Sequence, residues 1–245
     1  MNETIITSKA NPLIKEAVKL KQKKYRSMMG KFILDGYHLV NEALVKGLVE
    51  RIFYVESCEI EGVEKYQVSP IVMESLSDVV QNQGIVAICK KPEKMKIGSR
   101  ILILDNVQDP GNIGTLIRSC AAFGFDTVIA ENSVDFYNDK VIRSTQGALF
   151  KVNLISSEII GFIDNHPDFD IYVTDLKSQR YLDEMKITSK KIAIILGNEG
   201  SGVSQEILAK VNNSFKLKMG NMESLNVGVA GSIILYELSK RSLGL

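Results

Sequence analysis

The stretch RILILDNVQDPGNIGTLIRSCAAFG, residues 100–124, decides the fold. Arg100–Val107 is a nearly continuous apolar run, the pattern of a strand covered on both faces of a parallel sheet. Gln108-Asp109-Pro110-Gly111 interrupts it as a turn. Asn112 is the expected N-cap of a helix running to Phe123, with Gly124 at its C′ position. Ile113, Leu116, Ile117, Cys120 and Ala121 fall on one buried stripe of that helix, and Arg118 lies off it, facing outward. The same strand–turn–helix grammar continues downstream. Strands are expected at Phe125–Ala130, Phe150–Leu154, Asp170–Thr174, Lys191–Leu196 and Phe215–Met219. Helices are expected around Val141–Gly147, Ser157–Asn165, Ser204–Val211 and Leu225–Ser239. Such alternation predicts an α/β domain over 98–245, a mostly parallel sheet with helices on both faces.

Upstream, residues 1–97 read as a second, smaller α/β domain. Leu13, Ile14, Ala17, Val18 and Leu20 make the apolar stripe of a helix from Asn11 to Tyr25. A strand at Lys31–Leu34, a helix at Tyr37–Val45 ended by Gly47 and a strand at Val49–Val55 follow. A short helix at Glu74–Val80 and a strand at Gly84–Cys89 complete the block. Lys90-Lys91-Pro92-Glu93-Lys94 reads as the linker. The whole chain has 245 residues, 45% hydrophobic and 24% charged, enough for two ordinary domains with real cores. No apolar run is long enough to span a membrane, and the first residues lack the pattern of a secretory signal, so a cytoplasmic location is expected. Cys58, Cys89 and Cys120 are widely spaced and only His38 and His166 are available besides, which argues for reduced thiols and no metal centre.

The net charge is only +1, but its distribution is uneven. Eight Lys/Arg, against Glu3 and Glu16, crowd into residues 1–31, while the rest of the chain is net negative. Lys21, Lys23, Lys24 and Arg26 are therefore candidates for contact with a polyanion, or else the solvated face of a helix.

Ligands of open parallel sheets bind beyond the carboxyl ends of the strands. Three loops placed there are rich in Gly, Asn, Glu and Ser: Asp109–Gly114, Leu196–Gly202 and Met219–Asn226. None ends in Gly-Lys-Ser/Thr and none reads G-x-G-x-x-G. A Walker-type phosphate loop is thus excluded, and a dinucleotide-dependent oxidoreductase is disfavoured. Three such loops in one sheet point to a nucleotide-like ligand held through backbone groups.

DPGNIGTLIRS (109–119), LGNEGSG (196–202) and MGNMESLNVGVAGSIILYE (219–237), in that order, resemble the three motifs of the SpoU/TrmH class of SPOUT RNA methyltransferases. NPLIK, LKQKKYR and KFILDGYHLVNEAL near the start resemble that class's small ribosomal-protein-like RNA-binding domain, and RSTQGALF (143–150) resembles a further family stretch. The resemblance implies S-adenosylmethionine as methyl donor and an RNA ribose 2′-hydroxyl as acceptor. It also implies a homodimer and a deep trefoil knot near the C-terminus. The two-domain layout leans towards ribosomal RNA over tRNA. A tRNA 2′-O-methyltransferase and an inactive RNA-binding relative are the alternatives.

By the same resemblance Arg118 is the catalytic arginine, taking the hydroxyl proton with the help of an RNA phosphate or, more conservatively, clamping that phosphate, since Arg stays protonated. Asn112, Glu199, Ser224 and Asn226 would surround the reacting groups, with Asn112 and Glu199 orienting Arg118 or the RNA. Each also has an ordinary use: Arg118 as a solvated helix residue, Asn112, Ser224 and Asn226 as caps, Glu199 as a cap for the helix at Ser204. Gly197, Leu217 and Leu225 match donor-binding positions, with Thr174 at its strand end as a further candidate. Gly228 stands where the family frequently has Ser, two residues after Asn226, and is read as tighter backbone packing.

Overall fold

The computed structural model describes residues 5–93, 96–185 and 189–243. The chain forms two compact units, Met1–Glu93 with Tyr137–Arg143, and Lys94–Phe136 with Ser144–Leu245. The segment Tyr137–Arg143, placed by sequence in the second domain, thus belongs to the first unit. There the Tyr137 ring lies 4.7 Å from the ring of Phe32, and Lys91 Nζ sits 4.8 Å from its centroid.

The first unit runs α1 (Pro12–Lys19), α2 (Lys23–Met29), β1 (Lys31–Asp35), α3 (Tyr37–Val45), β2 (Val49–Tyr54), β3 (Glu64–Gln67), α4 (Pro70–Leu76) and β4 (Ile85–Lys90). Its sheet order is β1-β4-β2-β3, with β4 antiparallel to both neighbours and β2 parallel to β3. Ile14, Ala17 and Leu20 pack with Val72, Met73 and Leu76 over Phe53, Val86 and Ile88.

Three expectations need correction here. The single helix expected from Asn11 to Tyr25 is two. Apolar periodicity carries no signal of the break, because Lys21 and Gln22 are sound helix formers. The break is held by Arg26, whose guanidinium donates to the carbonyls of Leu20 at 3.0 Å and Lys21 at 2.7 Å. The helix expected at Glu74–Val80 starts earlier, at Pro70, after the N-cap Ser69, whose hydroxyl accepts from the Val72 amide. The short edge strand β3 was not anticipated.

The second unit contains β5 (Arg100–Asp105), α5 (Pro110–Phe123), β6 (Thr127–Glu131), α6 (Asp139–Thr145, shared with the first unit), β7 (Asn153–Ser156), α7 (Ile159–Asn165), β8 (Asp170–Thr174), β9 (Ile192–Leu196), α8 (Gln205–Lys210), β10 (Ser214–Phe215) and α9 (Val227–Leu243). Six parallel strands stand in the order β10-β8-β9-β5-β6-β7. Ile101, Ile103, Ala193 and Ile195 point to the face covered by Ile159, Phe162 and Ile207 of α7 and α8. Leu102, Leu104, Ile194 and Leu196 alternate to the other face. There Gly231 of α9 lies so close that a Cβ would fall 2.3 Å from Leu116 and 2.6 Å from Leu196. Strand β7 begins later than expected, after a 3-10 turn at Ala148–Phe150, and β10 is shorter.

The cap of α5 is Asp109, not Asn112. The Asp109 carboxylate accepts from the Asn112 amide at 2.7 Å, and Pro110 takes the first helical position. Asn112 is thereby freed from capping and carried into the first turn. Gly124 ends the helix at φ +73°, in the left-handed region, as its C′ reading requires.

Candidate active site at the carboxyl edge of the parallel sheet

The carboxyl ends of β5 and β9 are adjacent, and two side chains knit the loops that leave them. Asp105, buried at the end of β5, accepts from the Ser204 amide at 2.7 Å. That bond caps α8, so Glu199 is not its cap. Asn198 donates from Nδ2 to the carbonyl of Asn106 at 2.9 Å, and its Oδ1 accepts from the amides of Gly200 and Ser201. Asn106 itself has φ +57°, a left-handed conformation that Asn tolerates better than most residues.

The loop closes through the pair Asn198–Gly202, whose amides and carbonyls exchange bonds of 3.0 and 2.9 Å. A Cβ on Gly197 would fall 2.1 Å from the Gly202 carbonyl carbon and 2.2 Å from the Val203 nitrogen. Glycine at 197 is therefore demanded by the loop's own closure, independently of any ligand.

This closure presents Glu199. Its Oε1 accepts from Asn112 Nδ2 at 2.9 Å, which joins the first and second motif loops across 87 residues of chain. The third motif reaches the same place. Asn226 caps α9, its Oδ1 accepting from the Val229 amide at 3.2 Å and its carbonyl from Ala230 at 2.8 Å. A Cβ on Gly228 would lie 3.0 Å from Asn112 Oδ1 and 3.1 Å from Asn226 Oδ1. Gly228 thus leaves room for two amide oxygens to converge, the physical sense of its departure from Ser. Ser119 and Ser232 share a hydrogen bond of 2.7 Å, and Ser232 also donates to the Gly228 carbonyl at 2.6 Å, fastening α5 to α9 behind the site.

Asn112, Glu199 and Asn226 are brought together; Arg118 and Ser224 are not. Arg118 is exposed, and among the described residues its side chain has no hydrogen bond or ion pair within the chain. Six residues past Asn112, it is turned well away from it around the helix axis. The expected bond from Asn112 or Glu199 to Arg118 is accordingly absent among the described residues. Ser224 is exposed in the stretch Leu217–Leu225, which makes no hydrogen bond within the chain among the described residues. Leu217 is half-buried and Leu225 is 41% exposed. A run of free backbone amides and carbonyls beside a half-buried leucine fits a ligand with an adenine ring read through main-chain groups. Thr174 fits less directly, since its hydroxyl already donates to the Ile195 carbonyl at 3.2 Å.

In the first unit, Lys21 is ion-paired with Asp78 at 2.8 Å and Arg26 is buried against the α1 carbonyls, whereas Lys23 and Lys24 are exposed. Burial pushes the Cys89 and Cys120 thiols well above their usual range, so both are poor nucleophiles. Among the described residues no group of three or more His, Cys, Asp or Glu side chains is placed to hold a metal, and no helix is long and apolar enough to cross a membrane. Sequence reasoning overlooked Asp105, Asn106, Asn198, Ser119 and Ser232. Only Asn198 carried a local signal, an Asn two residues before a Gly in a tight loop.

Known proteins resemble the chain in both units. Residues 99–236 match the SpoU rRNA Methylase family, and residues 11–87 match the MRM3-like substrate binding domain. The chain is 34% identical to the 23S rRNA (guanosine(2553)-2'-O)-methyltransferase RlmP of Bacillus subtilis (strain 168), over 95% of its own length and 98% of the relative's. It is 27% identical to the mitochondrial rRNA methyltransferase 3 of Mus musculus, over 91% of this chain and 70% of that one. The AdoMet-bound rRNA methyltransferase from Sinorhizobium meliloti shares the fold with a TM-score of 0.86, at 25% identity and 98% coverage of each chain.

Proposed function

The chain belongs to the SpoU rRNA methylase family, and from that premise we propose that it transfers the methyl group of S-adenosylmethionine to a ribose 2′-hydroxyl of RNA, ribosomal RNA ahead of tRNA. The observation that carries the reading is the Asn112–Glu199 bond, which assembles two motif loops at the sheet edge where Asn226 arrives from the third. The MRM3-like match in the first unit favours ribosomal RNA.

When bound, the donor supplies an electrophilic methyl group on a sulfonium. The residues of this chain do the rest. Leu217, Leu225 and the backbone between them hold the adenine side, and Gly197 keeps the neighbouring loop closed. Asn112 holds one oxygen of Glu199, leaving Oε2 to orient the ribose. Ser224 and the amide of Asn226 line the approach of the hydroxyl. Arg118, its side chain exposed and unpaired, would hold an RNA phosphate beside the ribose; the hydroxyl proton passes to that phosphate or to water as the O–CH3 bond forms, and the electron pair of the broken S–CH3 bond stays on sulfur as a neutral thioether. Alignment supplies the larger part of the acceleration, because a ribose hydroxyl is a weak nucleophile until it is held in line.

The protein works as a homodimer, and α9 supports that reading. Val229, Ile233 and Tyr236, at i, i+4 and i+7, are 39–48% exposed on one apolar stripe. A trefoil knot near the C-terminus belongs to the same reading, supported by the path of the chain from β10 at the sheet edge back to α9 packed on α5. Lys23 and Lys24, with Lys21 and Arg26 behind them, form part of the RNA surface of the first unit. We place the protein in the cytoplasm, with its ribosomal substrate.

The test is a transcript-wide map of 2′-O-methylation in total RNA from cells with and without the gene. One ribosomal ribose should lose its methyl group and regain it on complementation. An identical map in both strains would overturn the assignment; a lost site in tRNA would move the substrate.

A further inference from the structure

We propose that Lys177–Tyr181 and Lys216–Lys218 form an RNA-backbone track on the parallel-sheet unit, a second RNA surface distinct from the basic α1–α2 segment; it rests on the methyl-transfer reading above. After Thr174 ends β8, the chain folds over the end of β10 as a strap. Asp175 donates its amide to the Phe215 carbonyl at 2.9 Å, and the buried Ser178 hydroxyl donates to the Ser214 carbonyl at 3.0 Å. Lys216 donates its amide to the Arg180 carbonyl, and Leu182 donates to the Lys216 carbonyl, each at 3.0 Å. Tyr181 and Lys216 therefore stand side by side as a parallel bridge, and Lys216 Nζ lies 5.1 Å from the Tyr181 ring centroid.

Two of the three acids beside the strap are engaged by backbone, and the third, Asp183, is exposed. Asp175 Oδ1 accepts from the Lys177 amide at 2.9 Å, and Glu184 Oε2 accepts from the Tyr181 amide at 3.0 Å. Lys177, Arg180 and Lys218 are exposed and, among the described residues, have no ion-pair partner. A rigid row of unpaired cations beside a tyrosine ring suits a single-stranded polyanion whose bases can stack.

Position names the polyanion. The strap covers the carboxyl ends of β8 and β10, and β8 is the immediate neighbour of β9, whose loop carries Glu199. Adjacent strands lie about 5 Å apart, so the track starts within the span of a nucleotide or two from the reacting edge. Lys216 and Lys218 flank Leu217, the proposed donor contact, so RNA on the track lies against the donor. In α1–α2, by contrast, only part of the charge is available: Lys21 pairs with Asp78 and Arg26 serves carbonyls, leaving Lys23 and Lys24 exposed.

The experiment uses the full chain carrying Lys177→Glu with Arg180→Glu. A short labelled single-stranded RNA of mixed sequence is titrated over a salt series, and S-adenosylmethionine binding is followed by calorimetry. Losing two phosphate contacts should flatten the log–log salt slope by about 1.4 and weaken binding about tenfold at moderate salt. The KM for RNA rises while kcat and donor affinity hold. An unchanged slope and affinity, with donor binding intact, overturns the track. If the reversed charges unfold the chain, Lys177→Gln with Arg180→Gln carries the same measurement. A wild-type protein that binds RNA and donor but transfers no methyl group overturns the proposed function instead, and leaves the track to be judged by its slope.

Discussion

The α1–α2 segment and the sheet edge from β8 to α9 differ in one respect that matters for function. The first, with Lys31 at the start of β1, is the most basic part of the sequence, yet three of the eight cations in residues 1–31 are occupied inside the unit: Lys21 by Asp78, Lys31 by Glu50 and Glu16, Arg26 by the carbonyls that end α1. The second is unremarkable in charge, yet the side chains of Lys177, Arg180 and Lys218 and the backbone of Leu217–Leu225, like the side chain of Arg118 on α5, have no partner within the chain among the described residues. A count of charges measures attraction at a distance. Binding at contact depends on which groups remain without partners after folding.

The largest expected effect lies at the edge. Arg118→Ala should lower methyl transfer about a thousandfold, near 4 kcal/mol of transition-state stabilisation, while donor binding and folding stability stay within about 0.5 kcal/mol. Steady-state kinetics beside calorimetry and a denaturant melt decide it; near wild-type transfer would make Arg118 an ordinary surface residue. Gly197→Ala comes next, with a stability loss of about 3 kcal/mol, because its Cβ would strike backbone and not a movable side chain. Urea unfolding reads it, and an unaltered midpoint would show the loop to be loose.

In the first unit the effects should invert the ranking that charge alone suggests. Arg26→Ala removes a buried cation from two carbonyls and should cost about 2 kcal/mol. Lys23→Ala with Lys24→Ala should change stability by less than about 0.5 kcal/mol, yet flatten the RNA salt slope by up to about 1.4 for single-stranded RNA. If Arg26→Ala flattened the slope with no stability loss, the division between structural and binding cations would fail.

The smallest effect concerns Asp35. Burial holds its carboxyl above the usual carboxylate range, against the lowering influence of the Ser77 hydroxyl, Arg143 and Lys21 and with the raising influence of Asp78. Its folded value lies above its unfolded one, so its neutral form favours the native state. That contribution is complete below the unfolded value and is lost as pH rises through the folded value. Asp35→Asn should therefore melt higher than wild type at neutral pH and lose the advantage in mild acid, read from paired melting curves. A difference that did not change with pH would assign the role of Asp35 to its hydrogen bond alone.

Much was legible in the linear order of residues. The apolar runs at Ile101–Leu104 and Ile192–Leu196, each followed by a Gly- and Asn-rich turn, determined a parallel sheet with ligand loops at one edge. Gly124 determined where α5 stops. These are local signals, because strand burial, helix phase and backbone conformation depend on a few neighbouring residues. The Asp109 cap is local as well, an Asp-Pro pair at a helix start that the expectation of Asn112 as cap overlooks. Tertiary structure alone decided that Asn112 reaches Glu199, that Asp105 takes the α8 cap, that Arg26 is buried, and that Tyr137–Arg143 joins the first unit. A hydrogen-bonding group takes whichever partner folding brings within about 3 Å, and between residues 87 or 99 positions apart that distance is written in no local pattern.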